Sequence, residues 1–384
     1  MKKIYIPSNL DLQKILPEEY SEKELDKFYY LIHLIYEQRI LYKNPEDFIP
    51  LKAEYLRTII RNYNYYRNIL IDKNIIECDG RFIKGVKSMG YRLMPPYSGV
   101  KHKQILLKNK RIIENIEKWR KRRLPTTKVH MHLYDFLTKV EIDHPSALSS
   151  ISGLPVEEYN PCRVAIDKFL NKEFFLYSDE YGRVHTNITS LKSSLRKYLT
   201  FQGKKLVNVD IINSQPLFLL LIPSILPTIR CTFSNCFENN TMDIFKYKSF
   251  VEHGELYEYL MREFGFEDRR QFKEAFFRDV FFGKKVPWQR KVHFDELFPT
   301  VAKILDEVKK DDYKSLAWMM QRAESNLIIT QICGRLMDEH KDCFISTIHD
   351  SILTTVDQAD KIERIMKQEF QKLGILPSIR VESA

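Results

Sequence analysis

At 384 residues the chain is long enough for two or three domains with sizeable cores. A hydrophobic content of 44% with only 12 glycines excludes a disordered or low-complexity polymer. The formal charge of +10, from 61 Lys and Arg, accompanied by 24 Phe and 21 Tyr, suits a nucleic-acid surface, with cations for phosphates and rings for bases. A ribosome-associated or simply basic soluble protein has the same composition.

Six cysteines (Cys78, Cys162, Cys231, Cys236, Cys333 and Cys343) are scattered through the chain, which reads as reduced and structural. Cys231 and Cys236 form a C-x₄-C with no second pair nearby, so zinc is not expected there. The start, MKKIYIPSNLDLQ, lacks a signal peptide's apolar core, and the apolar run 216–229 is short and broken by proline. A cytoplasmic protein without a membrane role is the expectation.

In chain order, residues 1–30 read as loose and locally acidic. Helical spacing appears over 31–42 and 50–70, the second with proline in its first turn. Residues 75–93, IIECDGRFIKGVKSMGYRL, read as strand, Asp-Gly turn and strand. Helix, helix and basic hairpin outline a winged-helix module within 1–96, with Lys84, Lys87 and Arg92 on the wing. A small structural α/β subdomain fits the same pattern. Pro95-Pro96 closes it. Residues 101–128 are dense in Lys and Arg, with a helix expected over 105–119 running into Arg120, Lys121, Arg122 and Arg123, a phosphate-tracking face. Helices over 129–143 and 161–173 complete a basic, thumb-like connector spanning 97–173.

Residues 174–186, FFLYSDEYGRVHT, read as a hairpin turning near 178–182, and 191–199 as a short helix. Then comes KKLVNVDIINSQP (204–216), a β-branched apolar run broken only by Asn208 and Asp210: a buried strand carrying one carboxylate. A lone acid there is costly unless paired, and a divalent cation is a common partner; a solvated strand end or a helix cap would also explain it. A second apolar strand over 343–353, CFISTIHDSIL, has Asp350 at its centre. Two single-Asp strands far apart in sequence suggest two carboxylates brought together around a pair of Mg²⁺ ions, for which Mn²⁺ can substitute. Between them the chain is helical from 216 to about 340, apart from an irregular patch at 230–240. It ends with a helix over 361–373 and a strand over 378–382. Segments 174–220 and 341–384 sharing one sheet, with 221–340 inserted as helices, make the α+β layout of a right-hand polymerase: antiparallel palm and helical fingers.

Residues 181–356 resemble the DNA polymerase A superfamily, which includes the single-subunit phage-type RNA polymerases. Five signals occur in that family's order: Gly182-Arg183 in YGRVHTNITSL; Asp210 in VNVDIINSQP; Arg269-Arg270-x-x-Lys273 followed by Phe277 and Phe281-Phe282-Gly283; Phe294 to Val301, FDELFPTV; and Gln321 in MMQRAESNLI with Asp350 in IHDSI. The resemblance implies Asp210 and Asp350 as catalytic metal ligands. It implies Arg269, Lys273, Phe277 and Phe281 or Phe282 as nucleotide contacts, and Arg183, Gln321 and His349 as primer or template contacts. Independently, Arg269 and Lys273 lie four apart, hence on one helical face at about 6 Å.

The departures concern sugar choice. The family's D-Y-S-Q-I-E, whose glutamate blocks a ribose hydroxyl, is D-I-I-N-S-Q-P here, placing Gln215 or Leu217 at that gate. Phenylalanine replaces the fingers tyrosine, with one extra residue before Gly283, and Ser351 follows the second acid as in the RNA polymerases. The expected function is template-directed DNA synthesis on a primer 3′-hydroxyl by two-metal catalysis. The nucleic-acid partner is a DNA or RNA primer-template, the substrates are nucleoside triphosphates, and an accessory replication protein is allowed. No D-x-E set for a proofreading nuclease is evident. Economy of size suits a phage or plasmid enzyme in a bacterial or phage-infected cell. The alternatives are an RNA polymerase or primase, or a non-catalytic winged-helix replication initiator.

Overall fold

The computed structural model describes residues 2–41, 48–222, 242–284 and 289–384. The Cys231/Cys236 pair, the 230–240 patch and the end of the 216–229 run lie outside them. The chain divides into two compact units, Met1–Leu124 with Ile142–Glu173, and Pro125–Glu141 with Phe174–Ala384. The expected connector 97–173 is therefore shared between the two units. Both units mix helices with antiparallel sheet. Among the described residues no helix is long and apolar enough to cross a membrane.

In the first unit, strand Lys2–Pro7 pairs with His102–Leu107, register Lys2↔Leu107, and Ile4, Tyr5 and Ile6 are buried. The N-terminus is thus ordered, and 105–107 is strand where a helix start was expected. A pairing between segments so far apart leaves no local periodic signal. The basic helix is Lys110–Lys121, capped by Asn109 Oδ1 accepting from the Ile112 N–H at 3.2 Å. The long helix Glu22–Leu41 precedes a short strand (Ile49–Pro50), helices Ala53–Ile59 and Tyr63–Asp72, and strands Ile76–Cys78 and Gly90–Leu93. The single helix expected over 50–70 breaks because Ile60 is extended (φ −128°, ψ 102°). The three strands lie in the order 49–50, 90–93, 76–78. Cys78 pairs with Tyr91, so 79–89 is a long loop and Asp79-Gly80 makes no tight hairpin turn. Asp79 Oδ1 closes the loop's base, accepting from the Gly90 N–H (2.9 Å) and the Arg81 N–H (3.0 Å).

The second unit is built on a six-stranded sheet. Its order is Ser346–Ile348, Ser351–Thr355, Lys204–Ile211, Leu199–Phe201 and Val140–Ile142, with Ile379–Ser383 also paired to Lys204–Ile211. The helix expected over 129–143 stops at Leu137, and that over 191–199 is a single turn, Ser193–Arg196, because both segments then give strands to this sheet. Phe201 and Phe344 stack at 4.4 Å, with Phe136 edge-on to both. Helices Met242–Glu252, Leu256–Phe264, Arg269–Phe276, Gln289–Leu297 and Pro299–Val308 enclose a second core. It is rich in aromatics: Tyr247, Phe272, Phe276, Phe281, Phe294 and Phe298 are fully buried.

Candidate active site

Lys204–Ile211 runs antiparallel to Ser351–Thr355 with Val209 opposite Ile352, so the strand carries Asp210 level with the start of its neighbour. Ile348 pairs with Ser351, which makes His349-Asp350 the two-residue turn of a hairpin. Asp350 therefore sits at a turn, not at the centre of a strand. His349 holds φ +57°, a strained value for a non-glycine residue, and its side chain is exposed. Burial, then the Asp350 charge, then Glu382, push the Asp210 carboxyl up to about 6, against the pull of Arg380. Arg380 stands opposite Asp210 in the register, with Nη2 at 3.5 Å from Asp210 Oδ2 and Nε at 3.0 Å from Glu382. Sequence reasoning missed Arg380, which lies in a short terminal strand with no motif.

Two half-buried carboxylates, with the Asp350 charge raising the proton affinity of Asp210, invite a cation. Among the described residues no group of three or more His, Cys, Asp or Glu is assembled as a metal site. The donor set fits Mg²⁺ held by one or two carboxylates with the remaining oxygens from water and phosphates, and does not suit a closed protein cage.

Facing the acids is helix Arg269–Phe276, whose N-cap Asp268 accepts from the Gln271 N–H at 2.7 Å. Arg269 and Lys273 both lie over the ring of buried Tyr257, at 5.6 and 4.9 Å from its centroid, and Arg269 Nε is 3.2 Å from Glu258. Burial and then Arg269 lower the Lys273 ammonium from its usual range, while Asp210 and Asp350 pull it back up. Lys273 is thus close enough to feel both acids. Tyr257 was also missed: an isolated tyrosine in a helix carries no signal of what stacks on it.

The helix continues as a π turn, Phe277–Phe281, closed by the Phe282 N–H donating to Phe277 O at 2.7 Å. A π turn absorbs one extra residue, which is the length anomaly before Gly283. Its effect is to sort the phenylalanines. Phe277 and Phe282 are half-buried and stack at 5.5 Å with 13° between planes. Phe281 is fully buried against Phe276 and has no surface left for a ligand, which corrects its placement among nucleotide contacts. Gly283 is demanded sterically, since a Cβ there would lie 2.0 Å from Arg278 O. Gly283→Ala should force the π turn open, lowering stability by about 2 kcal/mol or more; an unchanged melting temperature would contradict this geometry.

Hairpin Leu176–Ser178/Val184–Thr186 presents Arg183. Asp179 Oδ1 accepts from the Tyr181 and Arg183 N–H groups (3.0 and 2.9 Å), and Gly182 turns the chain at φ +87°. A Cβ on Gly182 would come 3.1 Å from Ser325 Cβ, so glycine both makes the turn and allows its close approach to helix Ser315–Ser325. Across that contact Arg183 grips Glu324 bidentately, Nε–Oε1 2.9 Å and Nη2–Oε2 2.7 Å, and Gln215 Nε2 donates to Glu324 Oε2 at 3.1 Å. Glu324 is 1% exposed, and burial pushes its carboxyl up to about 7 despite Arg183. Gln321, three residues earlier on that helix, is half-buried. Tyr181 stacks on Trp318 at 6.1 Å, and Tyr177 on His185 at 4.9 Å, lining the hairpin with rings. Sequence reasoning passed over Glu324 because a glutamate inside a helical run looks solvated until its partners are known.

The remaining basic candidates belong to the first unit. Lys84 is exposed, Lys87 is exposed but 3.1 Å from Asp79, Arg120 is 3.4 Å from Glu117, and Arg122 and Arg123 are exposed.

Comparison with protein-family models and with curated proteins found no match. Among solved structures, the chain is similar to the POL domain of Pol1 from M. smegmatis, determined with DNA primer-template and dNTP, at 13% identity and a TM-score of 0.41. The similarity covers 63% of this chain and 55% of that one, too distant to assign a fold.

Proposed function

We propose that the second unit is a template-directed nucleotidyltransferase with a right-hand arrangement, in which the sheet carrying Asp210 and Asp350 is the palm and the helices around Tyr257 are the fingers. The observation that carries this reading is the pairing of Asp210 and Asp350 with Lys273, which lies within electrostatic reach of both and shares the Tyr257 ring with Arg269. Magnesium ions held by Asp210 and Asp350 would supply Lewis-acid chemistry to a primer hydroxyl and a leaving pyrophosphate. Arg269 and Lys273 neutralise triphosphate oxygens, and the Tyr257 ring fixes their height. The stacked Phe277–Phe282 pair offers an apolar face to a base. Arg183, Gln321 and His349 line the strand side, with Arg183 held by Glu324.

DNA synthesis is the product we assign, because the fingers phenylalanines offer a ribose no hydrogen-bonding oxygen. A second reading, RNA synthesis or priming, is favoured by Gln215: its amide is committed to Glu324, leaving no carboxylate on that helix to exclude a 2′-hydroxyl. Primer extension with Mg²⁺ and either dNTPs or rNTPs decides between them. Extension by neither, with nucleic acid still bound, removes the polymerase reading in favour of a non-catalytic initiator.

Lys273→Ala should act on the nucleotide. Losing one charged hydrogen-bonding partner costs about 1.5–3 kcal/mol, roughly a 10- to 100-fold fall in kcat/KM for the triphosphate, with primer-template affinity unchanged. A fall in primer-template affinity instead would make this helix a nucleic-acid face.

A further inference from the structure

Strand Ile379–Ser383 forms one edge of the six-stranded sheet: among the described residues it pairs only with Lys204–Ile211. The ladder between them shows which of its backbone groups are already bonded. The Ile212 N–H donates to Ser378 O at 3.0 Å, and the Ala384 N–H to Leu206 O at 3.4 Å. Hydrogen-bonded and open pairs alternate along an antiparallel ladder, so Arg380 and Glu382 also turn their N–H and C=O groups inward. Ile379, Val381 and Ser383 turn theirs outward, where no described residue takes them up. Arg380 to Ser383 are all exposed.

An edge open in this way is a template for another strand, and it is commonly blunted by lysine, proline or a bulge. Pro377, an outward position without an N–H, limits pairing on the N-terminal side. The strand itself has no lysine, proline or bulge. Its two charges are of opposite sign and flank Val381. Val381 is 40% exposed although Val209, opposite it, is fully buried, and Leu373 and Leu376 on the approach to the strand are 37% and 60% exposed. Exposed apolar side chains beside free backbone groups suit strand addition.

We propose that this edge pairs with the same edge of a second copy of the chain, about a two-fold axis through Val381. Antiparallel pairing in that register sets Ile379 against Ser383 of the partner subunit, and Val381 against Val381 of the partner subunit. Every residue in these pairs has outward groups, giving about six backbone hydrogen bonds across the axis. Between them Arg380 faces the partner's Glu382, and Glu382 the partner's Arg380, at open positions where side chains lie closest. The charges also select the register. Centring the axis on Arg380 or on Glu382 keeps the backbone alternation but sets like charges opposite each other. Of these three centres only Val381 joins the hydrogen bonds to opposite charges.

The pairing reaches the candidate site. Arg380 Nη2 lies 3.5 Å from Asp210 Oδ2, and the partner's Glu382 offers that guanidinium a carboxylate from outside the chain. The assignment rests on the strand edge alone and does not depend on nucleotidyl transfer.

Sedimentation equilibrium of the full chain, without nucleic acid, nucleotide or Mg²⁺, should show a reversible monomer–dimer equilibrium with a Kd of about 10–100 µM, weak because the shared edge is short. Glu382→Arg and Arg380→Glu should each weaken it roughly 10-fold or more, since each sets like charges opposite at two places. An equimolar mixture of the two variants should dimerise about as well as the wild type, because each copy then meets the opposite charge at both positions. Val381→Pro removes one outward N–H and no inward one, so it should weaken the dimer with little change in melting temperature; it serves where a charge variant fails to fold. A wild type still monomeric at about 300 µM, variants that dimerise as well as the wild type, or a mixture no better than either variant alone would overturn the proposal.

Discussion

Asp350→Asn and Asp210→Asn should each reduce nucleotide incorporation by roughly three orders of magnitude or more, while leaving nucleic-acid binding intact. The size follows from the proposed role: if Mg²⁺ is held by both carboxylates, losing either would weaken the site's hold on the metal and the Lewis-acid chemistry it would supply. The same variants carry a second readout that needs no activity. In the metal-free protein the Asp210 carboxyl lies near 6, raised above its unfolded value by burial and by Asp350. A group raised in this way contributes stability below its unfolded value and loses it as pH climbs through about 6. At pH 7.5 the ionised pair is repulsive and open to Mg²⁺; at pH 5.5 the metal must first displace a proton. Mg²⁺ should therefore raise the melting temperature of the wild type more at pH 7.5 than at pH 5.5, and raise that of either asparagine variant little at both. Without metal, Asp210→Asn should melt at or slightly above the wild type at pH 7.5. Equal Mg²⁺ shifts in all three proteins, or incorporation by either variant near the wild-type rate, would end the two-metal assignment.

The legible parts of this chain are those whose physics is local. The hairpin around Gly182 and the helix bearing Arg269 and Lys273 are set by turn chemistry and by i,i+4 spacing, and they appear where the sequence puts them. The strand of Asp210 and its apolar run are likewise recovered. What could not be read is non-local. The Lys2–Pro7 strand looks loose until His102–Leu107 pairs with it, and Val140–Ile142 looks helical until the sheet claims it. Asp350 moved from strand to turn for a related reason: a two-residue hairpin at His349-Asp350 needs a positive φ, which histidine does not advertise as glycine would. The candidate-site residues missed, Tyr257, Glu324 and Arg380, share one property. Each takes its meaning from a partner distant in sequence: Arg269 and Lys273 over a ring, Arg183 and Gln215 on a carboxylate, Asp210 across two strands. The π turn shows the reverse case, in which a one-residue anomaly is visible in sequence but only the structure tells which phenylalanine it turns inward.

Arg183→Ala should be the most destabilising single change near the site, and its cost should depend on pH. Glu324 is almost wholly enclosed, and Arg183 supplies two of the three hydrogen bonds described on its carboxylate. Truncating one partner of such a pair leaves the other buried without compensation, a loss of about 3 kcal/mol, taken at the low end because Arg183 keeps some solvent contact. For a unit of this size that is a fall of roughly 6–12 °C. Burial already holds the Glu324 carboxyl near 7, above its unfolded value, against the downward pull of Arg183. Removing the arginine raises it further, so the variant can escape by protonating at pH 5.5 but must bury a bare charge at pH 8. The gap in melting temperature between wild type and Arg183→Ala should widen from pH 5.5 to pH 8. Arg183→Ala combined with Glu324→Gln should abolish that widening, because a neutral amide has no charge to strand. Such recovery separates the ion pair from simple loss of packing: a gap that stays constant with pH, or a double variant no better than the single one at pH 8, would mean that Arg183 stabilises the hairpin by contact area and that Glu324 is neutral throughout. If the gap widens as expected, the arginine proposed to meet the nucleic-acid strand is held in place by a carboxylate that titrates near neutrality. Any synthesis that depends on Arg183 should then weaken below pH 7, as Glu324 takes up its proton and its grip on the guanidinium slackens.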